Sequence, residues 1–185
     1  MPRCRGHFEL SAPAAGALGD STGDWSQALR SAPTTAVAAI PYISGVAAQL
    51  GIVPPTAIGS IDRGAAGVWR GEPFSGGATV SGTPSLSLTV RPPTPDLTVI
   101  GILFDEDPAG NAVQITQFPL TRHDLTPGVP NTVAWDLAPT FWHLPAGHRL
   151  TITVTTQDPI PYVSSTPNGA MVEFTSPSFA EIPVA

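Results

Sequence analysis

The chain contains no lysine: all eight of its basic residues are arginine. Against 14 acidic residues this leaves a formal net charge of −6, and charged residues make up only 12% of the 185. Binding a nucleic-acid backbone needs a basic patch to neutralise phosphates, so this balance excludes a nucleic-acid partner. Cys4 is the single cysteine, which excludes an internal disulfide and a thiolate metal cluster. The missing lysines, beside abundant Ala, Gly and Pro, read as the coding bias of a GC-rich bacterial genome.

Long apolar runs are also missing. Met1-Pro-Arg-Cys-Arg-Gly-His-Phe-Glu9 carries basic residues with no uninterrupted apolar core of signal-peptide length behind it. Residues 36–53 are apolar on average, but Pro41, Gly45, Gln49 and Gly51 interrupt them and the stretch is short for a membrane span. The expectation is a soluble chain with no membrane span and no clear signal peptide, its compartment open with a lean towards the cytoplasm.

What the chain does have is 22 prolines and 18 glycines, which favour many short elements and frequent turns over long helices. Residues 1–75 read as a partly helical, linker-like extension. Ser21-Thr-Gly-Asp-Trp-Ser-Gln-Ala-Leu-Arg-Ser-Ala32 offers a Ser or Thr cap and a short helix with Trp25, Ala28 and Leu29 on one side, ended by Pro33. Residues 42–50 place Ile43, Val46, Ala47 and Leu50 at helical spacing and stop at Gly51. Val53-Pro-Pro-Thr56 and Asp62-Arg-Gly-Ala-Ala-Gly67 read as linker.

From residue 76 to 185 the period changes to two. Leu86, Leu88 and Val90 alternate with Ser85, Ser87 and Thr89, and Leu150, Ile152 and Val154 alternate with Thr151, Thr153 and Thr155. The second stripe predicts a strand with one buried and one wet face. Residues 97–104 are continuously apolar, as in a central strand, and Asp105-Glu-Asp-Pro-Ala-Gly-Asn111 has the residues of a turn. Further strands are expected over 113–120, 131–137 and 171–175. The fold class that follows is all-β: an antiparallel sandwich of jelly-roll, galactose-binding-like type carrying the short helical extension.

Few groupings point to chemistry. Gly19-Asp-Ser-Thr-Gly23 matches the pattern of a hydrolase nucleophile elbow, but neither the strand before it nor the βαβ units after it that would expose Ser21 above a parallel sheet can be read. Ser21 is better taken as a cap or loop residue. Asp105, Glu106 and Asp107 could offer oxygens to a calcium ion, although clustered acids at a Pro-Gly turn more often form a solvated corner. His143 and His148 flank a tight turn without a visible third ligand. Trp69, Trp135, Trp142, Phe141 and Tyr162 could stack on sugars, the basis for an alternative as a free-standing carbohydrate-binding module, or sit in the core. No catalytic, cofactor-binding or metal-binding residue is therefore assigned, and no cofactor is expected.

Four segments carry a family likeness over residues 69–185. They are Val80-Ser-Gly-Thr-Pro-Ser-Leu-Ser-Leu-Thr-Val90, Leu103-Phe-Asp-Glu-Asp-Pro-Ala-Gly110, Leu144-Pro-Ala-Gly-His-Arg-Leu150 and Val172-Glu-Phe-Thr-Ser-Pro-Ser178. In this order they resemble the C-terminal, non-catalytic β-sandwich domain of X-Pro dipeptidyl-peptidases and of related acyl-esterases, including cocaine esterase and glutaryl-acylase-like hydrolases. The Gly-His-Arg-Leu strand start is the most specific of them. The resemblance implies an accessory or docking domain whose partner is an α/β-hydrolase catalytic domain, separate or missing, that holds the Ser, Asp and His of the triad. No catalytic position of that partner maps onto this sequence.

Overall fold

The computed structural model describes residues 5–11, 16–19, 23–32, 55–157 and 162–185. The strands in chain order are β1 (Arg5–Leu10), β2 (Leu18–Gly19), β3 (Ser26–Arg30), β4 (Thr56–Ala57), β5 (Ala66–Arg70), β6 (Ala78–Gly82), β7 (Ser85–Arg91), β8 (Leu97–Glu106), β9 (Asn111–Arg122), β10 (Asn131–Asp136), β11 (Thr140–Leu144), β12 (Arg149–Thr155) and β13 (Met171–Pro183). A single 3-10 turn, Ile58–Ser60, follows β4.

Two antiparallel layers result. One runs β4-β9-β8-β12-β5; the other runs β10-β7-β13-β1-β2, with β3 also pairing β13 and the β6-β11 pair continuing it. The continuation is physical: Val80 bridges Val184, and Thr79 and Ala185 exchange backbone hydrogen bonds of 2.8 and 3.0 Å. From β5 onward the chain crosses repeatedly between the layers, at β5–β6, β7–β8, β9–β10, β11–β12 and β12–β13, as in a jelly roll. The expected all-β antiparallel sandwich is what forms.

Between the layers, Leu86, Leu88, Val90, Val172, Phe174 and Ile182 meet Val99, Leu103, Leu150, Ile152, Val154 and Trp69. Gly101 on β8 lies directly under the facing layer. A methyl there would lie 2.4 Å from Leu86 Cδ1 and 3.1 Å from the Trp135 ring, so the facing side chains occupy the volume that a Cβ would need. β8 is buried at all ten positions, which accounts for its unbroken apolar sequence.

Two expectations are corrected. The helix expected over residues 21–32 is replaced, where it is described, by strand β3, with Gln27 and Leu29 inward and Ser26, Ala28 and Arg30 outward. It pairs with Met171–Thr175 of β13, and Trp25 Nε1 donates to the Leu10 carbonyl at 2.7 Å. A short helix is marginal in water, and an open strand edge offered this segment a full ladder instead. β1 pairs with β13 as well, and Ala66 and Gly67, at the end of the stretch read as linker, are the start of β5, which pairs with β12. The second helical candidate, residues 42–50, and the apolar stretch 36–53 lie outside the described residues.

The wet face expected on β12 is also overturned. Thr151, Thr153 and Thr155 are fully buried. They stand in register with Phe104, Ile102 and Ile100 on one side and with Arg70, Val68 and Ala66 on the other. This outer face belongs to a second apolar cluster, closed by Ile58, Ile61 and Tyr162. Threonine fits because its branched Cβ packs, while the Thr151 hydroxyl finds the Glu106 carboxylate and that of Thr155 the Gln157 carbonyl.

Candidate functional site

Strand alternation sends the neighbouring acids at the end of β8 in opposite directions. Asp105 faces the interlayer core and Glu106 faces the second cluster; both are buried. Asp105 pairs in register with Leu150, which brings the turn before β12 alongside it. His148 Nδ1 donates to Asp105 Oδ1 at 2.7 Å, and Trp142 Nε1 donates to Oδ2 at 2.9 Å. Both carboxylate oxygens are thereby bound, one from β11 and one from the turn before β12.

This is an Asp–His pair of the kind a triad contains. Among the described residues, no hydroxyl hydrogen-bonds to His148, so the arrangement orients an imidazole without activating a nucleophile. His143 lies apart, its Nδ1 3.4 Å from Thr79 Oγ1 on the outer face of the β6-β11 pair.

Glu106 is held more tightly. Arg70 Nε lies 3.1 Å from Oε2 and its terminal nitrogen 3.1 Å from Oε1, a fork-to-fork pair, while Thr151 Oγ1 donates to Oε2 at 2.5 Å. Arg63, whose guanidinium donates to the Val68 carbonyl, stands close enough to feel both partners. Burial, with the positive charge of Arg70, draws Arg63 below its ordinary pKa, and Glu106 opposes this.

Asp107 turns away into its own loop and accepts the backbone N–H groups of Ala109 and Asn111, each at 2.9 Å. The Asn111 amide holds its carboxyl below the ordinary range, aided by the Asn111 side chain. Beside this loop lies an open cleft of about 450 Å3, lined by Ser60, Arg70, Glu106, Asp107, Asn111 and Arg149 among others. The three acids thus have three separate employments, and among the described residues no group of three or more His, Cys, Asp or Glu is arranged to hold a metal.

The aromatic residues disperse. Trp69 is fully buried and donates to the Ser11 carbonyl at 2.7 Å; Trp135 is buried and donates to the Phe118 carbonyl at 3.0 Å. Trp142 is bound to Asp105, and Tyr162 packs on the second cluster. Phe141 alone stands out, 76% exposed, so the set gives no stacking platform and the carbohydrate-binding alternative is unsupported. Ser21 lies outside the described residues. Sequence reasoning missed Arg70 and Thr151; the buried acid ending an apolar strand was the available signal, since such a charge demands a partner.

Fold and site together define a two-layer antiparallel sandwich domain whose buried titratable groups are engaged in holding strand ends together. The sequence matches the family profile of the X-Pro dipeptidyl-peptidase C-terminal non-catalytic domain over residues 10–179, and the chain belongs to that family. No curated protein sequence matches it. Among solved structures it is similar to an α-amino acid ester hydrolase, with 16% identity and a TM-score of 0.73 over 100% of this chain and 38% of that one. It is also similar to a CocE/NonD family hydrolase from Staphylococcus aureus, with 13% identity and a TM-score of 0.69 over 98% and 36%. An aminopeptidase from the marine sediment archaeon Thaumarchaeota archaeon is similar at 16% identity and a TM-score of 0.69, over 97% and 37%. At these identities the likenesses speak to the fold. The chain spans little more than a third of the length of these relatives. No helix among the described residues is long and apolar enough to cross a membrane.

Proposed function

We propose that this chain is the accessory sandwich of a serine hydrolase of dipeptidyl-peptidase or acyl-esterase type, contributing contact surface to an α/β-hydrolase catalytic domain and no reacting group of its own. The family match across residues 10–179 carries the reading, because that family is defined as non-catalytic and C-terminal. The engagement of Asp105, Glu106 and His148 with internal partners supports it. We also take the strands before and after residue 75 as one folding unit, on the strength of the β1, β3 and β5 pairings. As the family's domain is C-terminal, the catalytic region precedes it in sequence.

The purified chain is treated with a fluorophosphonate probe and then mixed with the serine-hydrolase catalytic region encoded with it or beside it. The expected outcome is no labelling of this chain, and a stable complex with the catalytic region by sedimentation. Stoichiometric labelling that disappears in Ser21→Ala would show a complete enzyme instead and overturn the reading.

A further inference from the structure

We infer that the outer face and free edge of the β6-β11 pair, centred on Phe141, form the surface on which the catalytic domain docks; this deepens the accessory reading above and rests on it. Three observations converge on this face.

The first is the edge itself. Among the described residues β11 pairs only with β6, so its other side has no strand partner among them. Proteins protect such edges with charge, proline or a covering element, yet β11 reads Thr-Phe-Trp-His-Leu with none of Asp, Glu, Lys, Arg or Pro. β10 ends in the exposed Asp136, and β9, which among the described residues has a partner beyond β8 only at Asn111 and Ala112, carries Pro119 and Arg122.

The second is composition. Phe141 and His143 are exposed, and Thr79 and Ser81, opposite them on β6, are half-buried. None of the four is an acid or an arginine, in a chain of net charge −6. Farther along the same layer the outer positions carry Glu181, Glu173 and Arg91. Interface centres are depleted in charge and enriched in aromatics in this way.

The third is position. Phe141 pairs with Ser81; the Val80–Val184 bridge sets Ser81 opposite Pro183; Pro183 pairs with Arg5. One row across the layer therefore leads from Phe141 to the start of β1, three strand spacings or about 14 Å. In a family whose sandwich is C-terminal, the polypeptide of the catalytic region arrives at that start. The domain it belongs to is thereby brought beside Phe141.

The test compares the chain with its Phe141→Ser and His143→Glu variants for binding to the encoded serine-hydrolase catalytic region, by sedimentation and by hydrogen exchange. Phe118→Ser on β9, also exposed, is the control. The expected result is at least about a 10-fold weaker complex for Phe141→Ser and for His143→Glu. Phe118→Ser should bind within about 2-fold of the parent, with unfolding midpoints unchanged in all variants and the β11 amides that point away from β6 gaining protection only in the complex. If the parent chain binds and both β11 variants bind equally well, this face is wrong while the accessory reading stands. If the parent chain fails to bind at all, the accessory reading itself is overturned, and this inference with it.

Discussion

Removing Arg70 should cost far more than removing the charge of its partner, although the two form one ion pair. The Glu106 side chain is 4% exposed and largely withdrawn from water, whereas that of Arg70 is 34% exposed and can turn its guanidinium outward. Arg70→Met leaves a buried carboxylate with Thr151 Oγ1 as its remaining strong donor, an uncompensated charge that costs about 3–5 kcal/mol. Glu106→Gln keeps the shape and an acceptor for Thr151, and strands no charge inside, so about 1–2 kcal/mol is expected. The double variant should be less destabilised than the sum of the two by about 1–3 kcal/mol, since the partners touch. Urea unfolding followed by tryptophan fluorescence reads all three, with Trp69 one residue from the substitution. A cost below about 1 kcal/mol for Arg70→Met would place the pair among solvent-screened surface bridges and refute the argument. Equal costs for the two single variants would refute the asymmetry on which it turns.

Gly101→Ala should cost about 1–3 kcal/mol by overpacking against Leu86 and Trp135, and Leu86→Ala about 2–5 kcal/mol by itself. Combined, the cavity receives the methyl and the total falls below the sum; strict additivity in urea midpoints would mean the layers do not close there. Trp69→Phe removes the donor to the buried Ser11 carbonyl, worth about 1–3 kcal/mol. Hydrogen exchange should rise at Leu10, Ser11 and Ala17–Gly19 while β8 stays protected, and unchanged exchange there would deny the anchor. Asp107 titrates below an unfolded value of about 3.9, so its support of the 107–111 turn is present above that pH and is lost as pH falls through the lower folded value. Nuclear magnetic resonance should show the Asn111 and Ala109 amides shifting only in that acid window, and a transition above pH 5 would contradict it.

The sandwich was legible wherever a strand is paired by a near neighbour with a turn between them. The β8–β9 hairpin around Asp107 to Asn111 is one case; β12 was legible from its own alternation after the turn at Gly147, whose φ is +85°, although it pairs with the distant β5 and β8. β1 and β3 were not legible, because what makes them strands lies far along the chain. Trp25 bonds Ser176, and Ser26–Arg30 completes its ladder on β13, so a five-residue segment with a capping residue looked helical in isolation. The threonine stripe of β12 failed for a related reason. Alternation shows that two faces differ, but whether the polar one is wet depends on what covers it, and Ile58, Ile61 and Tyr162 are remote in sequence. In the candidate site the acids themselves were visible, but their partners were not. Asp105 and His148 meet only through the Asp105–Leu150 register, a property of pairing that no local motif encodes.

Chemistry needs a group that is both withdrawn from water and left with unsatisfied capacity, since only such a group has a reason to react. Asp105 meets the first condition and fails the second: Trp142 and His148 occupy both of its oxygens, and through it a β11 residue and the turn before β12 are fastened to the end of β8. Glu106 fails the second condition in the same way, with Arg70 and Thr151 fastening β5 and β12 to that strand end. Phe141 and the far side of β11 present the opposite case, as Phe141 is exposed and among the described residues that side has no strand partner. Trp142 joins the two, since one face of its strand is fixed to Asp105 while its neighbour Phe141 points outward. The buried polar network thus acts as the rigid backing of an association surface, which is the arrangement an accessory domain requires if it is to hold a partner's geometry without taking part in its reaction.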